Sequence, residues 1–363
     1  MKYIPDQIFI EPEVETSFYT QKVLSKFQDV QRRVLPQGDG LKLLEETTRN
    51  LFKGKKTLFL KAFHAEPAKI CPGYSDQVLC CNYYVINLIE NCPLECSYCI
   101  LQAYLNKTNL TFHVNVEEIM RKTAELVKSQ PNRPFRIGTG EHSDSLAMDS
   151  VFEVNAFLVE SFAQLENATL ELKTKTDEIE PLLGLDHKGH TVIAWSLNPQ
   201  ELIDSQEIRT ASLEQRLKAA KRVVEDGYKV AFHFDPILHY QGWQAGYEET
   251  VELIFEHVSP RDIAWISMGT FRYIPKLKAI AEERFKRTAI FANEFIMAED
   301  GKMRYLKPIR TEMLSKVSGF ILKKAPKVPL YLCMEKRSVW DRIFAEHPQS
   351  PAELEAYLNS NLK

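Results

Sequence analysis

The sequence predicts an α/β fold: a partial (β/α)6 barrel with an N-terminal α/β extension and a C-terminal region of β-hairpin and helices. Three observations predict it. From Tyr83 onward, short apolar runs alternate with segments whose apolar residues recur at helical spacing. Strands that alternate with helices build parallel, right-handed βαβ units whose helices cover the sheet. Six strand-like runs follow one another, which suits an open barrel better than a closed one of eight strands.

Residues 1–80 read as a lead-in, with an extended IFIEP, an amphipathic stretch from Phe18 to Phe27 and an extended TLFLKAF. Residues 81–272 carry the barrel. YYVINL is its first strand and feeds a cysteine-rich loop, and Val116 to Val127 is the helix that returns. FRIG, TLELKT, TVIAWSL, KVAFHF and DIAWISMG are the next strands. Helices are expected around Val151 to Phe162, over LEQRLKAAKRVVEDG with Gly227 as its stop, and from Tyr247 to His257. Residues 273–363 form the C-terminal region. There, FANEFIMAEDGKMRYLKP reads as a hairpin, because Asp300-Gly301 is a dipeptide favoured in tight two-residue turns.

Composition bounds the function. With 363 residues, 44% of them hydrophobic, the chain has ample material for a large core. No apolar run is long enough to span a bilayer and the N-terminus lacks the pattern of a signal peptide, so a cytoplasmic protein without a membrane partner is expected. Seven cysteines, an odd number, argue against a complete disulfide framework and for thiolate chemistry or free buried thiols. A net charge of −3 gives no global nucleic-acid signature, so such a partner needs a local patch. One basic stretch runs from Lys302 to Lys327 with Glu312 as its single acid, and a smaller run, Lys53, Lys55, Lys56 and Lys61, interleaves with Phe52 and Phe59.

The strongest chemical signal is NCPLECSYCILQAYLN, where Cys92, Cys96 and Cys99 have the spacing C-x3-C-x2-C. Three thiolates can hold three irons of a [4Fe–4S] cluster, and the fourth iron then stays open for an exogenous ligand. Structural zinc instead takes four ligands, usually in paired short-spaced couples. This spacing, with Tyr98 just before the third cysteine, resembles the radical-SAM superfamily. The resemblance implies an oxygen-sensitive [4Fe–4S] cluster whose open iron chelates S-adenosylmethionine, which electron transfer cleaves to a 5′-deoxyadenosyl radical. It also implies an electron donor such as flavodoxin or ferredoxin.

In such barrels ligands collect at the C-terminal ends of the strands. After the second strand, GTGEHSD offers Glu141 and Ser143 to the ammonium of methionine, similar to the superfamily's glycine-glycine-glutamate element in shortened form. Lys175 after the third strand can pair the methionine carboxylate. Ser196 and Asn198 after the fourth can hydrogen-bond ribose hydroxyls, and Asp235 closes the fifth. A lone Ser or Lys at a strand end is commonly a solvated loop residue; several in register with a cysteine loop make a site.

Over nearly its whole length the chain also resembles the spore photoproduct lyase family. The likeness lies in IFIEPE, CSYCILQAYLN, Ser143-Asp144, Thr174-Lys175, Ser196-x-Asn198 and GYKVAFHFDPILHYQGWQAGY, with its pairs Gly242-Trp243 and Gly246-Tyr247. It implies a DNA-repair lyase that reverses a methylene-bridged thymine dimer. In that family, residues matching Tyr98, Ser143, Lys175 and Ser196 touch the cofactor, and a β-hairpin after the barrel enters the duplex. Carried onto this chain, Lys302, Arg304, Tyr305 and Lys307 are the expected DNA contacts.

Two positions depart from the family. Glu141 stands where the hydrogen-donating cysteine is expected, and Ile100 where a relaying tyrosine follows the third cluster cysteine. A carboxyl O–H bond is too strong to give up a hydrogen atom. Cys71, Cys80, Cys81 and Cys333 are the thiols left to substitute, and Cys333 joins Tyr98 as the expected catalytic pair. Two other readings stay open: a radical enzyme acting on another nucleotide, a peptide or a small molecule, and a non-catalytic Fe–S protein that binds nucleic acid or passes electrons.

Overall fold

The computed structural model describes residues 3–35, 54–73, 78–105, 107–286 and 288–362. Its central sheet contains β1 (Tyr84–Ile86), β2 (Phe135–Gly138), β3 (Ala168–Thr174), β4 (Thr191–Ser196), β5 (Lys229–Ile237), β6 (Ile263–Thr270) and β7 (Leu330–Leu332). These strands lie side by side in chain order and all run parallel. A short strand, Ala68–Ile70, pairs antiparallel with the other edge of β1. The expected run of six is therefore present in its expected order.

The seventh parallel strand is an addition. It comes from VPLYLCME, in the segment read as hairpin and helices, and is too short to show a period of its own. The backbone N–H of Cys333 continues its ladder by donating to Met268 O at 2.7 Å, which sets Cys333 on the same rim as the ends of β1 to β6.

Two helices differ from expectation. The one around Val151 is broken into Asp149–Phe152 and Asn155–Phe162, with Glu153 left-handed at φ 50° between them. Asp149 Oδ1 accepts from the N–H groups of Val154 and Asn155 at 3.0 and 3.1 Å, satisfying the start of the second piece. The helix expected to start at Tyr247 begins at Trp243 and contains Gly246. A Cβ there would lie 2.1 Å from Tyr240 Oη and 3.1 Å from Pro199 Cβ, so this glycine serves close packing and breaks nothing. Helix Leu213–Glu225 follows expectation, with a Ser212/Gln215 capping box at its start.

The N-terminal sheet places Gln31–Val34, Gln7–Ile10 and Thr57–Lys61 in parallel. It recruits Leu110–His113, also parallel, and then Ile89–Glu90, antiparallel. Those last two strands flank the cysteine loop in the sequence, so both ends of the loop are anchored in this sheet. No described helix is long and apolar enough to cross a membrane.

The hairpin is present as Phe295–Met297 against Met303–Tyr305, with Arg272–Tyr273 as a third antiparallel strand. Its turn is not the expected two-residue type. Gly301 N donates to Ala298 O at 3.0 Å and Ala298 N to Lys302 O at 2.9 Å, and within the turn Gly301 alone has positive φ, at 72°. A two-residue type I′ turn would need positive φ at Asp300 as well; this is the three-residue loop with glycine in the left-handed position.

Candidate active site

A cavity of about 450 Å³ is lined by residues from the cysteine loop, from the ends of β2 to β7 and from the hairpin. Along β3 the alternation of side chains buries Leu170 and Leu172 on one face and turns Glu171, Lys173 and, just past the strand, Lys175 into the cavity. Cys92, Cys96, Tyr98 and Cys99 line it from one side. Glu141, Ser143, Lys175, Ser196, Asp235, Lys302 and Cys333 line it as well, so most of the residues expected from the sequence share one space.

The cysteine loop is held from several directions. Glu95–Cys96 pairs antiparallel with Glu207–Ile208, setting Cys96 opposite Glu207. Ser97 N donates to Gln206 O at 2.9 Å, and Gln102 Nε2 donates to the carbonyls of Cys96 and Cys99 at 3.0 and 3.2 Å. Lys55 Nζ donates to Leu94 O at 2.6 Å and lies 3.4 Å from Glu95. Burial, helped by Asp144, pushes the Cys92 thiol up to about 12. Burial, helped by Glu207, carries Cys96 well above its ordinary value.

Such thiols ionise only beside strong positive charge. Among the described residues, Glu11, Glu13 and His64 on the N-terminal sheet form the one group of potential metal ligands whose donor atoms all lie within 4.8 Å of one another. The three loop sulfurs do not approach that closely as a set.

Tyr98, between the second and third cysteines, donates its hydroxyl hydrogen bond to Glu207. The same carboxylate accepts from Asn198 Nδ2 at 2.9 Å and from Arg216 Nη2 at 2.6 Å, and the Arg216–Glu207 pair is fully buried. Burial pushes the Glu207 carboxyl up; Arg216 and Lys175, with the hydrogen bonds from Tyr98 and Asn198, outweigh it and hold the group below the carboxylate range. Burial, with Glu207 nearby, keeps the Tyr98 phenol neutral. Asn198 Oδ1 accepts from Tyr247 Oη at 2.8 Å. Asn198, expected at the ribose, is thus committed on both ends of its amide to Tyr98's support.

Asp144 ties the β2 loop to β3: Oδ1 accepts from Leu146 N, Ala147 N and Thr174 Oγ1 at 3.0, 2.9 and 2.8 Å, and Oδ2 from Lys175 N at 2.7 Å. Beside it, Ser143 Oγ is buried with no hydrogen-bond partner among the described residues. A buried hydroxyl without a partner is costly, so this atom fits a bound polar ligand. Asp235 is bidentate with Arg272 at 3.0 and 3.1 Å, and Arg272 Nη2 lies 3.8 Å from Cys333 Sγ. At the floor, Glu171 Oε1, His233 and Ser267 Oγ form a chain with links of 2.8 and 2.6 Å, and Trp265 Nε1 donates to the same Glu171 oxygen at 3.1 Å.

The residues expected at DNA divide. Lys302 lines the cavity, 3.7 Å from Asp300. Lys307 is exposed on the first turn of helix Lys307–Lys324. Arg304 is buried, 2.7 Å from Asp300, and donates to Met334 O at 3.2 Å. Tyr305 is buried too, stacked on Phe295 at 4.6 Å, and its hydroxyl accepts from His239 N at 3.0 Å. Both fasten the hairpin to the body instead of facing outward. What the hairpin does present is Ile296 and Met297, 54% and 53% exposed. In the smaller lysine run, Phe52 and Lys53 lie outside the described residues and Lys55 is turned in to the cysteine loop.

Four features escaped the sequence reading: Lys173, the Glu207–Arg216 pair, the Glu171–His233–Ser267 chain and Arg272. Glu171-x-Lys173-x-Lys175 does carry a signal, three charges on one face of a strand otherwise buried. Burial lowers the Lys173 ammonium's pKa, but Glu141, Glu171 and Asp235 around it raise it above its ordinary value.

A protein-family model described as spore photoproduct lyase matches residues 3–307. The spore photoproduct lyase of Geobacillus sp. (strain Y412MC61) is 24% identical over 301 residues, covering 80% of this chain and 86% of its own. That of Bacillus subtilis (strain 168) is 24% identical over 304 residues, covering 80% and 85%. Among solved structures, a spore photoproduct lyase complexed with dinucleoside spore photoproduct superposes with a TM-score of 0.78 at 21% identity, over 92% of this chain and 99% of the other. A doubly substituted spore photoproduct lyase with bound AdoMet and dinucleoside spore photoproduct gives 0.77 at 22% identity, with the same coverage. At these identities the superpositions establish a shared fold.

Proposed function

The chain belongs to the spore photoproduct lyase family, and from that premise we propose that it is a radical S-adenosylmethionine enzyme whose Cys92, Cys96 and Cys99 hold a [4Fe–4S] cluster. The observation that carries this reading is the convergence of the three cysteines with Glu141, Ser143, Lys175 and Ser196 on one cavity. The cluster and S-adenosylmethionine, when bound, supply a carbon radical that takes a hydrogen atom from an unreactive C–H bond.

The chain's own residues bind and orient. Glu141 receives the methionine ammonium, Lys175 its carboxylate and Ser196 a ribose hydroxyl, while Ser143 Oγ gains the partner it lacks. Tyr98, fixed by Glu207, forms a rigid part of the wall. The proposed substrate is a nucleic-acid base, with DNA photoproduct repair as the reaction, and the bound dinucleosides of the similar structures support that choice. The exposed Ile296 and Met297 suit an apolar wedge at a base step, with Lys307, exposed at the start of the helix that follows the hairpin, for phosphate; extruding a base costs a few kcal/mol, least when a lesion has already weakened its stacking. Cys333, at the rim beside Arg272 and Asp235, is the proposed hydrogen-returning thiol, burial and Asp235 holding it protonated. A cytoplasmic flavodoxin or ferredoxin is the proposed reductant.

Glu141 favours one second reading, a radical reaction on a different substrate that needs no thiol at that position. Turnover separates the two. Under anaerobic reduction with S-adenosylmethionine, dinucleoside spore photoproduct should be converted to thymidine. Release of 5′-deoxyadenosine with the dinucleoside left intact would favour the second reading.

A further inference from the structure

Of the lysines and arginines that line the cavity among the described residues, all but one have a partner, present or proposed. Arg272 is bidentate with Asp235, Lys302 lies 3.7 Å from Asp300, and Lys175 is the proposed partner of the methionine carboxylate. Lys173 is the exception. Its ammonium makes no hydrogen bond or ion pair among the described residues.

The residue is nonetheless held in place. Lys173 N donates to Ser145 Oγ and Ser145 N donates to Lys173 O, both at 3.0 Å, and Thr139 Oγ1 donates to the same serine hydroxyl at 2.8 Å. Gly140 lies against the stem: a Cβ there would come 2.9 Å from Lys173 Cβ and 3.2 Å from its Cε. The bare backbone of this glycine gives the stem room to run along the β2 loop, and a side chain in its place would push the lysine aside. Backbone pairing and a glycine thus present one cation to the cavity without a counter-ion in contact.

Glu141, Glu171 and Asp235 surround the ammonium and keep it charged. Each has another partner: Asp235 is taken by Arg272, Glu171 Oε1 accepts from His233 and Trp265, and Glu141 is the proposed seat of the methionine ammonium. A charge withdrawn from water without a paired counter-charge is costly. A carbonyl oxygen would offer it a hydrogen bond and leave the charge standing, whereas an oxyanion supplies both. Bases and sugars are neutral at neutral pH, so the oxyanion that nucleic acid offers is its phosphodiester.

The geometry points to Lys173 as a substrate-binding residue that pairs with the phosphodiester joining the two nucleosides of the photoproduct. The assignment rests on the nucleic-acid reading proposed above and narrows it: the ligand is a dinucleotide whose bridging phosphate enters the cavity with its bases, while Lys307 meets the backbone outside.

The test uses the full-length protein, reconstituted with iron and sulfide under anaerobic conditions, and two forms of the spore photoproduct that differ only in the phosphate: the dinucleoside and the phosphodiester-bridged dinucleotide. Calorimetry gives the affinity for each. Wild type should bind the dinucleotide about ten-fold more tightly, the lower end of what a hydrogen bond between charged groups contributes. Lys173→Met should bring that ratio close to one and Lys173→Arg should keep most of it; a merely structural lysine would weaken both ligands alike and leave the ratio standing. Lys173→Gln is the second neutral variant, read in the same way, should circular dichroism show that Lys173→Met does not fold. Equal wild-type affinities, or a ratio preserved in a folded neutral variant, would overturn the proposal. Binding of neither form by the reconstituted wild type would overturn the repair reading itself, and the proposal with it.

Discussion

Arg216 Nη2 lies 2.6 Å from Glu207 Oε2 with both side chains closed to solvent, and the other oxygen of Glu207 accepts from Tyr98 in the middle of the cysteine loop. Arg216 also donates to Ser196 O and Ala211 O, at 2.8 and 2.9 Å, so one guanidinium ties the end of β4 to the helix Leu213–Glu225 and, through Glu207, to the loop. The geometry of the cysteines depends on a charge pair remote from them in sequence.

Removing one member of that pair leaves the other buried and uncompensated. Glu207→Leu and Arg216→Met should each lower stability by about 3–5 kcal/mol, and the two combined should recover part of the loss. Urea unfolding of the three variants measures this, and a double variant as unstable as the sum of the singles would count against a coupled pair.

The same carboxylate sets a pH dependence. Folded Glu207 titrates below its unfolded value of about 4.3, so the unfolded chain takes up the proton first. Its contribution to stability is full above that unfolded value and is lost as pH falls through the depressed folded one. The gap in unfolding free energy between wild type and Glu207→Gln should therefore narrow as urea titrations are stepped from neutral to about pH 3. A constant gap would mean that Glu207 is not the titrating group.

What the sequence made legible follows from the range of the interactions. The six barrel strands announced themselves through local periodicity, and the cysteines and strand-end residues through short motifs at the rim that the fold class designates. β7 has three residues and no period, and it joins the sheet only because β6 offers an edge. The Asp300-Gly301 turn took another form because Ala298 and Lys302 pair, lengthening the loop by one residue. Glu207 and Tyr98 lie 109 positions apart, and no local pattern announces such a contact. Arg304 looked like a phosphate ligand from its basic surroundings; Asp300 and the cleft beside Glu335 claim it instead.

At the cofactor end, Glu141→Gln should weaken S-adenosylmethionine binding by roughly 1.5–3 kcal/mol, the worth of a hydrogen bond to a charged group, with iron content unchanged. Calorimetry on the reconstituted protein tests it. Unaltered affinity together with lost product formation would move Glu141 from cofactor binding to the substrate side.

At the hairpin, Lys307→Ala should flatten the dependence of log affinity for duplex DNA on log salt by about 0.9, one phosphate contact. Arg304→Ala should leave that slope alone and lower the melting temperature, since its partners are internal. Fluorescence anisotropy across salt concentrations and a thermal melt separate the two, and a slope changed by Arg304→Ala alone would reverse the assignment.

The cysteine loop bears the central claim, and the most direct measurement is 5′-deoxyadenosine released per protein by wild type and by Cys92→Ala, Cys96→Ala and Cys99→Ala. Each protein is reconstituted with iron and sulfide under anaerobic conditions and reduced with dithionite in the presence of S-adenosylmethionine. Wild type should bind iron with a brown absorbance and release 5′-deoxyadenosine, and each single variant should lose both, because the cluster loses a protein-held iron. Iron binding and cleavage retained in all three variants would contradict the account.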